Sequence, residues 1–89
     1  MMVNRSQLME TYLEILRGMI RGKALKTLGT KTSVIDSGLV DSFALADVIT
    51  KIETTLSVQI SVERLSPGDF DTAELLADRL TQLGVVQGP

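Results

Sequence analysis

Eighty-nine residues, 44% of them hydrophobic, with a formal net charge of −2, describe one small globular domain with a single core. The chain has no cysteine and no histidine, which excludes disulfides, thiolate metal sites and any Ser-His or Cys-His catalytic pair. The charge argues against bulk nucleic-acid binding, no apolar run approaches a membrane span, and the N-terminus lacks the apolar core and cleavage site of a signal peptide, so a cytoplasmic protein is expected.

The first helix is expected over about residues 5–21. Asn4 and Gln7 have the spacing of a capping pair. Leu8, Tyr12, Ile15, Leu16 and Met19 then line one face, and Met9, Leu13 and Ile20 widen the stripe. Arg17, Arg21 and Lys23 lie toward the C-terminal end, where the helix dipole favours cations. Gly18 weakens this helix by about 1 kcal/mol relative to Ala, and Gly22 can end it. Residues 23–40 are a long connection for a compact domain. Ala24, Leu25 and Leu28 are spaced for a helical turn that pins it to the core. Val34, Ile35, Leu39 and Val40 are too apolar for a solvated loop and are expected to pack over the helices.

Residues 35–53 organise the rest of the chain. Asp36-Ser37-Gly38 has turn chemistry. Asp41 is a good N-cap, because its carboxylate can accept from free first-turn amides. A second helix is expected from about 42 to 56, with Leu45, Val48, Ile49, Ile52 and Leu56 at helical spacing. Leu45, Ile49 and Ile52 are the expected core contacts. At about 100° per residue, Phe43 falls about 160° from that stripe, on the side of Asp47, Thr50 and Thr54. Either Phe43 faces water beside Ser42, or the first turn bends it back under the preceding loop.

Val58-Gln59-Ile60-Ser61-Val62 alternates like a strand. With no clear partner strand, an extended linker that drops Val58, Ile60 or both into the core is the preferred reading. Ser66-Pro67-Gly68-Asp69 reads as a short helical turn. Asp71 and Glu74 are spaced as a capping box, followed by Leu76, Leu80 and Leu83 on a last helix over about 72–83. Gly84 suits its C′ position. Residues 85–89 are expected to fray. The chain is thus read as one domain with an ordered core over about 5–84.

Charge divides along the chain. Residues 1–40 carry six Lys or Arg against three acids, and residues 41–89 carry three against eight. These are either solvated helix faces or, in the acidic half, a surface that steers encounter with basic patches on partners. The acids show no metal-ligand spacing, and no Gly-rich phosphate loop is present.

Gly38-Leu39-Val40-Asp41-Ser42-Phe43 resembles the modification site of the acyl and peptidyl carrier proteins, Gly-x-x-Asp-Ser-[Leu/Phe]. The similarity extends over about residues 7–83, through the long loop after the first helix and the pattern of residues 53–70. Phe after the serine is similar to the D-alanyl carrier proteins and some stand-alone carriers of specialised metabolism. The resemblance implies an all-α four-helix bundle with a long loop between helices one and two and a short third helix. It also implies 4′-phosphopantetheine on Ser42, transferred from coenzyme A with magnesium on the phosphates, and a thioester-bound acyl or aminoacyl cargo.

The implied partners are a phosphopantetheinyl transferase, an acyl- or aminoacyl-loading enzyme and a downstream transferase or synthase. Asp41, Phe43 and Asp47 are the candidate recognition residues. The protein is then a non-catalytic, monomeric carrier, with no metal ligands of its own. Lys51, with only Asp47 and Glu53 as acids on the second helix, departs from the fatty-acid pattern and turns expectation toward amino-acid or specialised-metabolite cargo. Read on spacing alone, Asp41-Ser42 is also consistent with a simple helix cap, in an unmodified helical interaction module.

Overall fold

The computed structural model describes residues 3–87. Its helices are α1 (Arg5–Arg17), a single turn α2 (Ala24–Thr27), α3 (Leu45–Leu56) and α4 (Ala73–Gln82), with 3-10 turns at Ser42–Ala44, Val62–Arg64 and Pro67–Phe70. α1 lies against both α3 and α4. The result is a small all-helical bundle with principal extents of 35 × 24 × 20 Å.

α1 begins as its sequence dictates. The Asn4 side chain accepts from the Gln7 amide at 2.8 Å, and Gln7 Oε1 accepts from the Asn4 amide at 2.9 Å. It ends earlier than expected, because Gly18 becomes the C-cap, with its amide donating to the Ile15 carbonyl. Gly22, at φ +78°, instead turns the chain into α2. Only Arg17 of the three expected cations lies in the last turn of α1. Leu8, Tyr12, Leu13, Leu16 and Ile20 are buried, while Met9, Ile15 and Met19 pack at the margin.

The partners of α1 are the inward stripe of α3 (Leu45, Val48, Ile52) and that of α4 (Ala73, Leu76, Ala77, Leu80). Ile49 was expected in this core but is only half-buried, and Val48 takes the fully buried position. Tyr12 and Phe70 meet edge-to-face, with ring centroids 6.4 Å apart, and the Tyr12 hydroxyl donates to the Phe70 carbonyl. A buried phenol needs such an acceptor.

Beyond α3 the chain runs extended, and among the described residues there is no strand. Ser57, at φ 54°, turns it out of the helix. Ile60 is buried and Val58 half-buried, as expected of a linker. The Ile60 amide donates to Glu53 Oε2 at 2.8 Å. The turn at Pro67–Phe70 is closed by Asp69, whose carboxylate accepts from the Ser66 amide at 2.9 Å.

The sequence suggested Asp71 as the cap of α4, but Thr72 holds that place, with Oγ1 accepting from the Leu75 amide. At the other end Gly84, at φ +78°, is the C′ residue. Its amide donates to Thr81 and that of Val85 to Leu80, the paired bonds of a Schellman motif. The expected fraying does not follow. Val86 is buried, the Gln87 amide donates to the Val3 carbonyl at 2.8 Å, and the Arg5 amide donates to Gln87 at 2.9 Å. This isolated parallel bridge between Asn4 and Gln87 ties the start of α1 to the segment that follows α4. Residues 88 and 89 lie outside the described residues.

Candidate functional site

The site lies where the long connection enters α3. Val34 and Val40 are buried, and the Val40 amide donates to the Val34 carbonyl at 2.8 Å. Between them, Gly38 sits at φ +80° with its amide on the Ile35 carbonyl at 3.0 Å. A left-handed residue is required there, which is the conformational reason for glycine. Leu39, expected to pack, is instead an exposed hydrophobic on the outside of this turn. In the preceding stretch the expected helical turn is present as α2, with Leu25 facing solvent and Leu28 packed against the core.

Asp41 follows, in extended conformation, and its Oδ1 accepts from the Phe43 amide at 2.9 Å. The Ala44 amide donates to the Asp41 carbonyl, and that of Leu45 to the Ser42 carbonyl. The cap therefore closes a 3-10 turn, and α3 proper begins at Leu45. Ser42 is exposed. Among the described residues no hydrogen bond engages its hydroxyl. Phe43 is 90% exposed, which removes the alternative in which it folds back under the loop. Asp47 is exposed in the first turn of α3 and pairs with Lys51 at 3.3 Å. An exposed i,i+4 pair of this kind adds only a few tenths of a kcal/mol to stability.

Asp41, Ser42, Phe43 and Asp47, the four residues singled out from the sequence, are thus all solvent-facing at one end of α3. The arrangement offers a reachable hydroxyl, an apolar ring and two carboxylates.

Asp71 is the residue the sequence reading misplaced. Its Oδ1 accepts from Ser33 Oγ at 2.8 Å, from the Ile35 amide at 3.0 Å and from the Asp36 amide at 2.9 Å. The Val34 amide donates to its main-chain carbonyl at 2.8 Å. Hydrogen bonds from the Asp36 amide and the Ser33 hydroxyl hold this carboxyl below its ordinary value, against the opposing effect of burial. Tyr12 is shifted the other way: burial first, and the Asp71 charge second, push its phenol above the usual tyrosine value. No signal in the sequence links Asp71 to partners more than thirty positions away.

A groove of about 610 Å³ is lined by Arg64, Leu65, Asp69, Leu75, Asp78 and Arg79, among others. Arg79 spans it, donating to the Arg64 carbonyl at 3.2 Å. None of the four residues above lines this groove. Among the described residues, no group of three or more acids is placed to hold a metal ion, and no helix is long and apolar enough to cross a membrane.

Fold and site together define a class: a small all-helical domain that presents an exposed serine directly after a capping aspartate at the mouth of a helix. Comparison with protein-family models, curated proteins and solved structures finds no match for the chain.

Proposed function

We propose that this protein is an acyl or aminoacyl carrier, with Ser42 as the attachment point for 4′-phosphopantetheine. The observation that carries the reading is the exposed Ser42 hydroxyl, with no hydrogen-bond partner among the described residues, within Gly38-Leu39-Val40-Asp41-Ser42-Phe43. The residues fit a covalent arm: nothing must move aside for the hydroxyl to be reached, and the Asp41 cap fixes the backbone beneath it. The all-helical bundle, with its long loop ahead of the serine-bearing helix, supports the four-helix carrier fold.

In this reading the attached group supplies the thiol that the chain lacks, and with it the capacity to carry cargo as a thioester. The chain's own part is presentation. Ser42 offers the oxygen that is modified, and Asp41 holds the turn. Phe43 enters an apolar pocket on a phosphopantetheinyl transferase, a loading enzyme or a downstream transferase or synthase, as aromatic anchors do at interfaces. Asp47 adds negative charge beside it, which favours basic partner surfaces. The protein works as a cytoplasmic monomer, where coenzyme A is at hand. The Lys51–Asp47 pair lowers the negative charge of α3 and favours amino-acid or specialised-metabolite cargo.

Incubation with a broad-specificity phosphopantetheinyl transferase, magnesium and coenzyme A tests the reading. Intact mass should rise by one phosphopantetheine unit in the wild type and not in Ser42→Ala, whose stability should stay within about 0.5 kcal/mol. An unmodified wild-type chain would leave the exposed Phe43 as the mark of a helical interaction module instead.

A further inference from the structure

We infer that Asp71 is a positioning residue, whose carboxylate straps the 33–40 loop to the start of α4 and thereby holds the Asp41-Ser42-Phe43 turn in place for a partner. Its amide is fixed independently of the loop, by donation to the Gly68 carbonyl at 3.2 Å. Capping of α4 does not need it, because Thr72 supplies that bond. Its side chain is therefore free to serve the loop, and one oxygen takes all three donors from Ser33, Ile35 and Asp36. Hydrogen bonds to an ionised acceptor are about twice as strong as neutral ones.

The strap reaches the site through the chain. Val34 is held to the Asp71 carbonyl, Val40 is held to Val34, and Asp41 comes next. A second tie, from the Glu74 amide to the Thr30 carbonyl at 3.1 Å and from Thr30 Oγ1 to Glu74 Oε2 at 3.2 Å, secures the loop farther upstream. Loss of the Asp71 carboxylate should thus loosen residues 33–36, which donate to it, and through them the turn to Val40, while the main-chain bond of Val34 and the tie at Thr30 keep the connection attached. A turn that must first be reordered is less often competent to bind, and its apparent affinity falls by the competent fraction. The effect belongs in KM rather than kcat.

The test uses the full chain as wild type, Asp71→Asn and the milder Ser33→Ala, which removes one donor and keeps the proposal testable if the Asn variant does not fold. Amide hydrogen exchange is read at Ile35, Asp36 and Val40, with Leu13 and Leu16 of α1 as the reference. In Asp71→Asn the loop amides should exchange at least about tenfold faster with α1 unchanged, and Ser33→Ala should show a smaller change of the same pattern. Transferase KM toward the protein should rise with kcat held, an arm that rests on the carrier reading. Equal acceleration in α1 and the loop, an unchanged loop, or a loosened loop with unaltered KM would each overturn the proposal. If the wild type accepts no phosphopantetheine, the carrier reading fails on its own, and the exchange data still decide whether the strap exists.

Discussion

Two phenylalanines occupy matching places in this fold and meet opposite surroundings. Phe43 lies in the 3-10 turn Ser42–Ala44 that leads into α3, and Phe70 in the turn Pro67–Phe70 just ahead of α4. Both turns are closed by a carboxylate, Asp41 in one and Asp69 in the other. Yet Phe70 is 2% exposed and Phe43 90%. Phe70 is part of the bundle: its ring meets Tyr12, and its carbonyl takes the buried phenol proton. Phe43 makes no such contact, and a large apolar side chain turned to water contributes little to folding. A 3-10 turn ahead of a helix therefore serves stability in one place and, in our reading, recognition in the other.

The largest expected effect lies on the buried side of this comparison. Phe70→Ala should cost about 3–5 kcal/mol, most or all of the stability of a domain this small. A urea midpoint near the wild-type value would remove the contrast between the two turns. Ile52→Ala, at the fully buried centre of α3, should cost about 2–5 kcal/mol. A mild effect there would mean that the register of α3, and with it the outward direction of Phe43, is wrong.

Next come the pH limits of the bundle. The native carboxyl of Asp71 titrates below its ordinary value, so the native state binds fewer protons than the unfolded chain in acid. Its contribution is complete above the unfolded carboxylate pKa and is lost as pH falls through the native one. The Tyr12 phenol is raised, so its contribution is complete below the unfolded tyrosine pKa and declines at more alkaline pH. Urea midpoints measured against pH should fall at both ends. The acid limb should flatten in Asp71→Asn and the alkaline limb in Tyr12→Phe, and a limb unchanged by its variant would exclude that residue as its source.

The smallest expected change in stability is the most informative about function. Phe43→Ala should stay within about 0.5 kcal/mol of wild type while weakening transferase or loading-enzyme binding by more than about 1 kcal/mol, as a hot spot does. A large stability loss with unchanged modification kinetics would place Phe43 with Phe70 and dissolve the distinction between them.

Local chemistry was readable ahead of the structure where partners are close in sequence. The Asn4–Gln7 cap, the Asp41 cap, the Pro67 turn and the glycine after α4 all act over four residues or fewer. The Ile60 linker was readable because a lone alternating segment has no strand to pair with. The direction of Phe43 followed from counting angles along one helix, although two outcomes stayed open until its exposure separated them. What stayed hidden was long-range. Asp71 looks like a cap beside Thr72, and only the returning loop shows its use. Val86 and Gln87 look like a loose tail until Val3 and Arg5 come alongside. Leu39 was placed inside because apolar residues cluster around it, but the turn at Gly38 carries it outward. Asp41, Ser42, Phe43 and Asp47 were all legible as candidates, since they lie within seven consecutive residues. The strap proposed to steady them was not.

The central claim is that Ser42 accepts the arm, and the most direct test is to locate the modification. Wild type and Ser42→Ala are incubated side by side with transferase, magnesium and coenzyme A, and the peptides spanning residues 35–53 are sequenced by tandem mass spectrometry. The account predicts one phosphopantetheine unit in the wild type, on Ser42, and none anywhere in the variant. A wild type that remains unmodified, or a Ser42→Ala protein that still gains the unit, would contradict it.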